Sequence, residues 1–384
     1  MMEVYLDNNA TTRMAPEVLD AMMPFYKDKY GNPSSFHTFG SNLIEDIEKA
    51  RQQVADLIGA EPSEIFFTSG GTESDNTALF YGAGADSEKP GLVTSVVEHP
   101  AVLETARYIE QTGHPLGLVM VNKSGSVSMD SLEELVNSET GLVSIMKANN
   151  ETGVIMPVKE AAEIAHRAGA LFHTDAVQAV GKIPVDVKAE GIDLLSLSAH
   201  KFHGPKGVGA LYVRKGLRLN PFMHGGHQEQ GVRSGTYNIA GIVGLGKAAE
   251  MARFFIAEEA LKTSSLLEKL ESGIRSKCPG AVIVGASAER LPNTATVLFI
   301  NVESEAILTL IDFAGIFVSS GSACSTGSKD PSYVLTSMGI STADANTAIR
   351  FSLSMYTSDQ EIDYVLEVLP PIIEKLRKIS PYTV

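Results

Sequence analysis

Asp193-Leu194-Leu195-Ser196-Leu197-Ser198-Ala199-His200-Lys201-Phe202-His203-Gly204-Pro205-Lys206-Gly207-Val208-Gly209 is a short apolar run that passes abruptly into polar residues and a glycine-rich turn. The run has the length of a buried strand. Just beyond it stands one lysine, Lys201, between two histidines. A surface lysine needs no such setting. A lysine that forms an imine needs a fixed position, partial desolvation and a neutral amine fraction, because burial lowers an ammonium pKa. Lys201 therefore reads either as a Schiff-base lysine, with pyridoxal phosphate as its usual partner, or as a buried lysine at a strand end.

The same pattern recurs along the chain. The run 65–67 is followed by Thr68-Ser69-Gly70-Gly71-Thr72-Glu73-Ser74, and 96–97 by Glu98-His99. The run 145–146 is followed by Asn149-Asn150-Glu151, and 171–172 by His173-Thr174-Asp175 and then Gln178. Ligands of open α/β sheets bind outside the carboxyl ends of the strands. Polar groups at so many strand ends describe one crevice.

The wider pattern agrees. Up to about residue 250, predicted strands at 65–68, 92–97, 142–147, 171–174, 194–198 and 208–213 alternate with predicted helices. The helices fall at 41–58, 74–80, 101–111, 158–168 and 239–255. This alternation predicts an α/β fold with a mostly parallel sheet. The stretch 256–278 continues as a long amphipathic helix. After it, runs at 281–284, 295–301, 305–311, 316–319, 349–353 and 360–378 predict a smaller α+β domain. There is no internal repeat and no low-complexity linker.

Bulk properties narrow the class. The 384 residues suffice for two domains, and 44% hydrophobic with 20% charged residues is ordinary for a globular protein. A net charge of −15 repels a nucleic-acid backbone, and no block of lysine or arginine offsets it. Met1-Met2-Glu3-Val4-Tyr5-Leu6-Asp7 has no basic region before an apolar run, so no signal peptide is expected. No apolar stretch is long enough to span a bilayer. Only two cysteines, Cys278 and Cys324, predict a reducing, cytoplasmic setting.

Each strand-end group has a chemical use. Ser69-Gly70-Gly71-Thr72 opens a helix after a strand, where backbone N–H groups and the helix dipole favour an anion. It is no Walker loop, because no Gly-Lys-Ser/Thr follows, and alone it fits an ordinary N-cap turn. Asp175 suits a pyridinium nitrogen, keeping the ring an electron sink; otherwise it is a buried carboxylate capping a loop. His99 suits ring stacking or proton transfer; otherwise it is a core histidine. Gln178 and Asn150 suit a ring hydroxyl or a substrate.

Ser319-Ser320-Gly321-Ser322-Ala323-Cys324-Ser325-Thr326-Gly327-Ser328 places Cys324 in a small, polar loop. Structural cysteines sit in apolar segments, so Cys324 reads as a nucleophilic or sulfur-carrying thiol. Cys278, at a helix end, reads as incidental. Arg350, inside the alternating strand Ala348-Ile349-Arg350-Phe351-Ser352-Leu353, suits a two-pronged grip on a substrate carboxylate, or faces water on an edge strand. His200-x-x-His203 and His224-x-x-His227 have metal-ligand spacing, but no HExxH or paired CxxC accompanies them, so no metal site is expected.

Taken together, the motifs resemble a known family. They are Tyr5-Leu6-Asp7-Asn8-Asn9-Ala10-Thr11-Thr12, Gly31-Asn32-Pro33-Ser34-Ser35, Thr68 to Ser74, Glu98-His99 and Asn149-Asn150-Glu151-Thr152-Gly153. They continue through His173 to Gln178, Ser198-Ala199-His200-Lys201, Gly225-Gly226, Gln228-Glu229, Arg233-Ser234-Gly235-Thr236 and Ser319 to Cys324. In this order they resemble cysteine desulfurases of the NifS/IscS type, pyridoxal-phosphate enzymes of the class V aminotransferase group. The long Ser/Gly loop resembles the first of that family's two groups. The resemblance runs from residue 5 to about 355.

The resemblance implies a fold and a division of labour. The fold would be the aspartate-aminotransferase-like type I architecture. A large domain at 15–255 would hold a mostly parallel seven-stranded sheet, and a small domain, 1–14 with 256–384, would carry the cysteine loop. Lys201 would bond the cofactor, Asp175 would pair the pyridine nitrogen, Gln178 the ring oxygen, and His99 would stack on the ring. Gly71, Thr72, Ser198 and His200 would hold the phosphate, with Thr236 arriving from the other subunit of a homodimer. Asn150 and Arg350 would orient L-cysteine. Cys324 would take the sulfur as a persulfide, leaving L-alanine, and pass it to an iron–sulfur scaffold or another sulfur-acceptor protein. His227 and Gln230 depart from the family's Gly-Gly-Gly-Gln-Glu-Arg, which bears on the subunit interface or site entrance. A selenocysteine lyase or an aminotransferase on the same fold is the enzyme alternative. A non-catalytic sulfur-carrier scaffold is the other, and the intact Lys201, Asp175 and His99 set argues against it.

Overall fold

Short runs of Ile, Leu, Val and Phe, buried along their whole length, build the centre of the molecule. Strands buried on both faces need cover on both faces, and helices that return the chain between parallel strands supply it. The structure is a computed structural model, and it describes residues 2–84, 89–320 and 331–380. In chain order the strands are β1 Val4–Tyr5, β2 Ile65–Thr68, β3 Gly91–Ser95, β4 Leu116–Val119, β5 Thr140–Ser144, β6 Leu171–Asp175 and β7 Leu194–Ser198. They continue as β8 Gly209–Val213, β9 Ala281–Ile283, β10 Thr294–Phe299, β11 Ile316–Phe317, β12 Ser319–Ser320 and β13 Ala348–Ser352.

The seven-stranded sheet has the order β2-β8-β7-β6-β5-β3-β4. Strands β7, β6, β5, β3 and β4 run parallel, and only β8 is antiparallel to its neighbours. The fold is therefore α/β with a mostly parallel sheet of seven strands. A second sheet, β12-β13-β10-β9, is antiparallel, and β1 pairs with β11 beside it.

Several element bounds differ from the sequence expectation. Strand β4 was not expected: its Leu-Gly-Leu-Val run is short, glycine-broken and only partly buried at the sheet edge. The strands expected at 92–97 and 142–147 are shorter and end at Ser95 and Ser144, although Val96 and Ile145 still donate to carbonyls of the neighbouring strands. The helix expected at 74–80 spans Gly71–Gly84, so it begins on the glycine itself. The helices expected at 239–255 and 256–278 are one helix, Ile239–Lys277. Its first turns pack on the Leu43–Ile58 helix, where a Cβ on Gly246 would lie 2.6 Å from Ala50 Cα. Its last turns bury Leu266, Leu270 and Ile274 in a second apolar cluster with Phe299 and Phe351. Val4 and Leu6 are buried in that second cluster too. The helix Pro16–Lys27 also went unforeseen.

What positions the site is the chain between the two sheets. Asp7 bridges to Ser352, and the Asn9 N–H donates to Ser352 Oγ at 2.9 Å. Three residues on, the Thr12 N–H donates to the His200 carbonyl at 2.9 Å. The N-terminal segment thus runs from β13 to the turn that carries Lys201. No helix among the described residues is long and apolar enough to cross a membrane.

Candidate active site

Polar residues after β2, β3, β5, β6 and β7 meet in one cavity of about 240 Å³. Gly71, Thr72, His99, Asn150, Asp175, Gln178, Ser198, His200 and Lys201 all line it. Asp75, Met146 and Val177 line it as well, though none was singled out from the sequence. Arg350 and Thr236 are not among the lining residues. Thr236 is exposed. Cys324 lies outside the described residues.

Lys201 follows β7 in a single 3-10 turn, Ala199–Lys201. Its Nζ donates to the main-chain oxygens of Asn9 (2.6 Å) and Ala10 (3.0 Å). His200 holds Thr11 Oγ1 at 3.2 Å, and burial, helped by Lys201, pushes its imidazole down to about 4. It is neutral at ordinary pH.

Asp175 ends β6 and is buried. Its Oδ1 accepts the Val177 N–H at 2.9 Å. Burial raises its carboxyl, against the pull of His99 and Lys201. His99 caps the Pro100–Gln111 helix, with Nδ1 accepting the Ala101 N–H at 3.1 Å. Burial lowers its pKa, so the ring is neutral with its proton on Nε2. Behind both lies a second acidic layer. Glu98 is fully buried and pushed up to about 8 by burial, although Ser95 and the Met146 N–H bond its Oε1.

The residues fit pyridoxal phosphate. The Gly71–Gly84 helix, 14 residues long, starts in the cavity beside Ser198 and His200, which suits a phosphate. The helix start passes so close to the β6 turn that a Cβ on Gly71 would lie 2.7 Å from Val177 Cγ2. Asp175 offers a buried carboxylate for a ring nitrogen. Asn150 presents a buried Oδ1 with no hydrogen-bond partner among the described residues. A group with a donor near it would satisfy that oxygen.

Two ion pairs, each with a buried arginine, stand nearby. Arg350 donates Nη2 to Asp7 Oδ1 at 2.7 Å and Nη1 to the Asn150 carbonyl at 3.0 Å. The second pair fixes the segment with the unusual residues. Glu229 takes both terminal nitrogens of Arg51 at 2.8 Å and the Phe67 N–H at 2.8 Å. With Glu229 held, His227 and Gln230 are both exposed, and Gln230 adopts a left-handed φ of 57°. Among the described residues, no group of three His, Cys, Asp or Glu is arranged to hold a metal ion.

Sequence reasoning gave no role to Asn9 and Lys182. Asn9 stands inside a quoted motif, and Lys182 stands four residues after Gln178 in a turn, the spacing of two neighbours on one face. The Asn9 main-chain oxygen accepts from Gln178 as well as Lys201, and its Oδ1 accepts from Lys182.

Known proteins resemble this chain over almost its whole length. The aminotransferase class-V family model matches residues 4–365. The chain is similar to the cysteine desulfurase NifS of Azotobacter vinelandii, at 49% identity over all of this chain and 95% of the relative. A cysteine desulfurase of Cereibacter sphaeroides is 51% identical over all of this chain and 98% of its own length. Among solved structures, a NifS-like protein superposes with a TM-score of 0.91 at 43% identity, covering 98% of this chain and all of the other. A NifS-like protein from Rickettsia africae gives 0.88 at 34% identity, over 97% of this chain and all of the other.

Proposed function

The chain belongs to the aminotransferase class-V family and is a pyridoxal-phosphate-dependent cysteine desulfurase of fold type I, and on that premise we propose which residues perform the reaction. The reaction converts L-cysteine to L-alanine. Its sulfur and an enzyme thiol become a persulfide, so the cysteine C–S bond breaks as an S–S bond forms. Cys324 is that thiol.

Pyridoxal phosphate, when bound, supplies the electron sink that weakens bonds at the amino acid's Cα and Cβ. Lys201 would hold the cofactor covalently and move the Cα proton. Asp175 would pair with the ring nitrogen, where its buried carboxylate would favour the protonated ring. His99, its pKa lowered by burial, would pack against the ring as a neutral imidazole. Gly71, Thr72, Ser198 and His200 would hold the phosphate, with Thr236 contributed by a second subunit of a homodimer. Asn150 and Arg350 orient the substrate carboxylate.

One observation carries the role of Cys324. The described residues on both sides of it are tied to neighbours of cavity-lining residues. Ser319 pairs with Arg350 in the β12–β13 ladder. On the other side, Ser332 Oγ donates to Glu151 Oε2 at 2.5 Å, next to Asn150, and the Tyr333 hydroxyl donates to the Glu98 carbonyl, next to His99. These anchors support the reading that Cys324 serves this site.

The same reading includes a domain division at 15–255 against 1–14 with 256–384, a cytoplasmic setting, and delivery of sulfur to an iron–sulfur scaffold or another acceptor protein. The test is Lys201→Ala, which should lose the cofactor's visible band and alanine release together. Retention of both would contradict the assignment.

A further inference from the structure

Gln178 Oε1 and Lys182 Nζ lie 2.7 Å apart in the turn that follows β6, and both side chains are more than nine-tenths buried. An ammonium or amine donates and a lysine has no acceptor when charged, so Gln178 must turn its oxygen to Lys182. On the other side, Gln178 Nε2 donates to the Asn9 main-chain oxygen at 2.9 Å, a group that only accepts. Two independent neighbours thus dictate the same amide orientation. The nitrogen keeps a second N–H, and Gln178 lines the cofactor cavity.

We propose that Lys182 is a positioning residue: it fixes the Gln178 amide so that a donor, and not an acceptor, is available to the ring oxygen of the cofactor. The inference rests on the reading that Gln178 serves that ring oxygen. Lys182 also ties Asn9 Oδ1 at 3.1 Å, so one side chain secures both the amide and the segment on which Lys201 rests.

Local backbone explains why Lys182 stands there. The Lys182 and Ile183 N–H groups both donate to the Ala179 carbonyl, at 3.0 and 3.1 Å. Gly181, just before it, has a φ of 80°, and a Cβ there would lie 2.5 Å from Phe202 Cβ. The turn therefore packs directly on the residue that follows Lys201.

The donor role does not depend on the charge of Lys182. Burial, then Lys201, with Arg350 also opposing and Glu259 favouring the charge, pushes its amine down to about 7. An ammonium has three hydrogens and a neutral amine two, and there are two acceptors to serve.

A hydrogen bond donated to the ring oxygen stabilises its anionic form and eases loss of the proton shared with the Lys201 nitrogen. Removing it should move the pH midpoint of the substrate-free visible band upward. The experiment compares wild type, Lys182→Met, Lys182→Gln and Gln178→Leu in two measurements: pyridoxal phosphate binding to the apo-protein, and the pH titration of the visible band without substrate. Lys182→Met and Gln178→Leu should each weaken cofactor binding about tenfold and raise the midpoint by about one unit. Lys182→Gln, which keeps a donor, should restore most of both. A Lys182→Met midpoint equal to wild type, with Gln178→Leu shifted, would overturn the positioning role alone. A Gln178→Leu midpoint equal to wild type would place the failure in the ring-oxygen reading itself. If Lys182→Met does not fold, Lys182→Gln decides: a shifted midpoint with a donor present overturns the proposal.

Discussion

Arg350 reaches Asp7 with Nη2 2.7 Å from Oδ1, although the two residues stand near opposite ends of the chain. The arginine is 2% exposed and the aspartate is at the edge of solvent. Its other terminal nitrogen holds the main-chain oxygen of Asn150, a residue of the cavity wall. The guanidinium therefore couples three pieces of chain that meet only in the fold: the N-terminal segment, the loop after β5, and β13. Its Nε is buried with no partner among the described residues.

Arg350→Lys should raise KM for L-cysteine by about tenfold to a hundredfold, with a smaller fall in kcat. Lysine keeps a charge but loses the planar fork that can serve Asp7, Asn150 and a carboxylate together. Steady-state kinetics separate the two constants. An unchanged KM would remove Arg350 from substrate binding.

Arg51→Met should destabilise the fold by about 3–5 kcal/mol, read from denaturant unfolding of the holoenzyme. The change leaves the Glu229 carboxylate, 3% exposed, without its ion-pair partner, although the Phe67 N–H still donates to it. Arg51→Met with Glu229→Gln should recover part of the loss, because the orphaned charge is gone.

Glu98 gives a pH prediction. Its carboxyl is raised from the ordinary range to about 8, chiefly by burial, so the folded state keeps a proton that the unfolded chain has released. The unfolded state then binds fewer protons, and this group's stabilising contribution falls as pH rises from about 4.5 to about 8. Glu98→Gln removes that dependence. The stability difference between wild type and Glu98→Gln should slope across this window by up to about 1.4 kcal/mol per pH unit and level off above it. A flat difference would mean that Glu98 titrates normally.

Gly181→Ala should cost about 1–3 kcal/mol, because a left-handed φ and a 2.5 Å clash with Phe202 Cβ act together. Unfolding midpoints of the apo-protein measure it. A neutral effect would mean that the turn relaxes without disturbing Lys201.

The sequence pattern carried the sheet and the crevice further than it carried the connections. Strand ends were legible because each apolar run stops at a polar group with chemistry, as Leu197 does at Ser198 and Phe172 does at His173 to Asp175. Strand β4 was not, since Gly117 and partial burial at an edge weaken the apolar signal. The 39-residue helix Ile239–Lys277 was legible as a continuing helical pattern, although its buried face changes partner between Ala249 and Thr263. Gly71, Asp175 and Lys201 announce themselves through residue type and position. Asn9 and Lys182 do not: their importance lies in hydrogen bonds to residues some 170 to 190 positions away in one case, and to a neighbour's amide in the other.

The central claim is that Cys324 receives the sulfur at a site built around Lys201. The direct test measures L-alanine released from L-cysteine and protein-bound sulfane sulfur, side by side, in wild type and Cys324→Ala. Alanine and persulfide in wild type, with both lost in the variant, is the result expected. Equal alanine release from the two proteins would contradict it and favour a lyase or aminotransferase that has no use for the thiol.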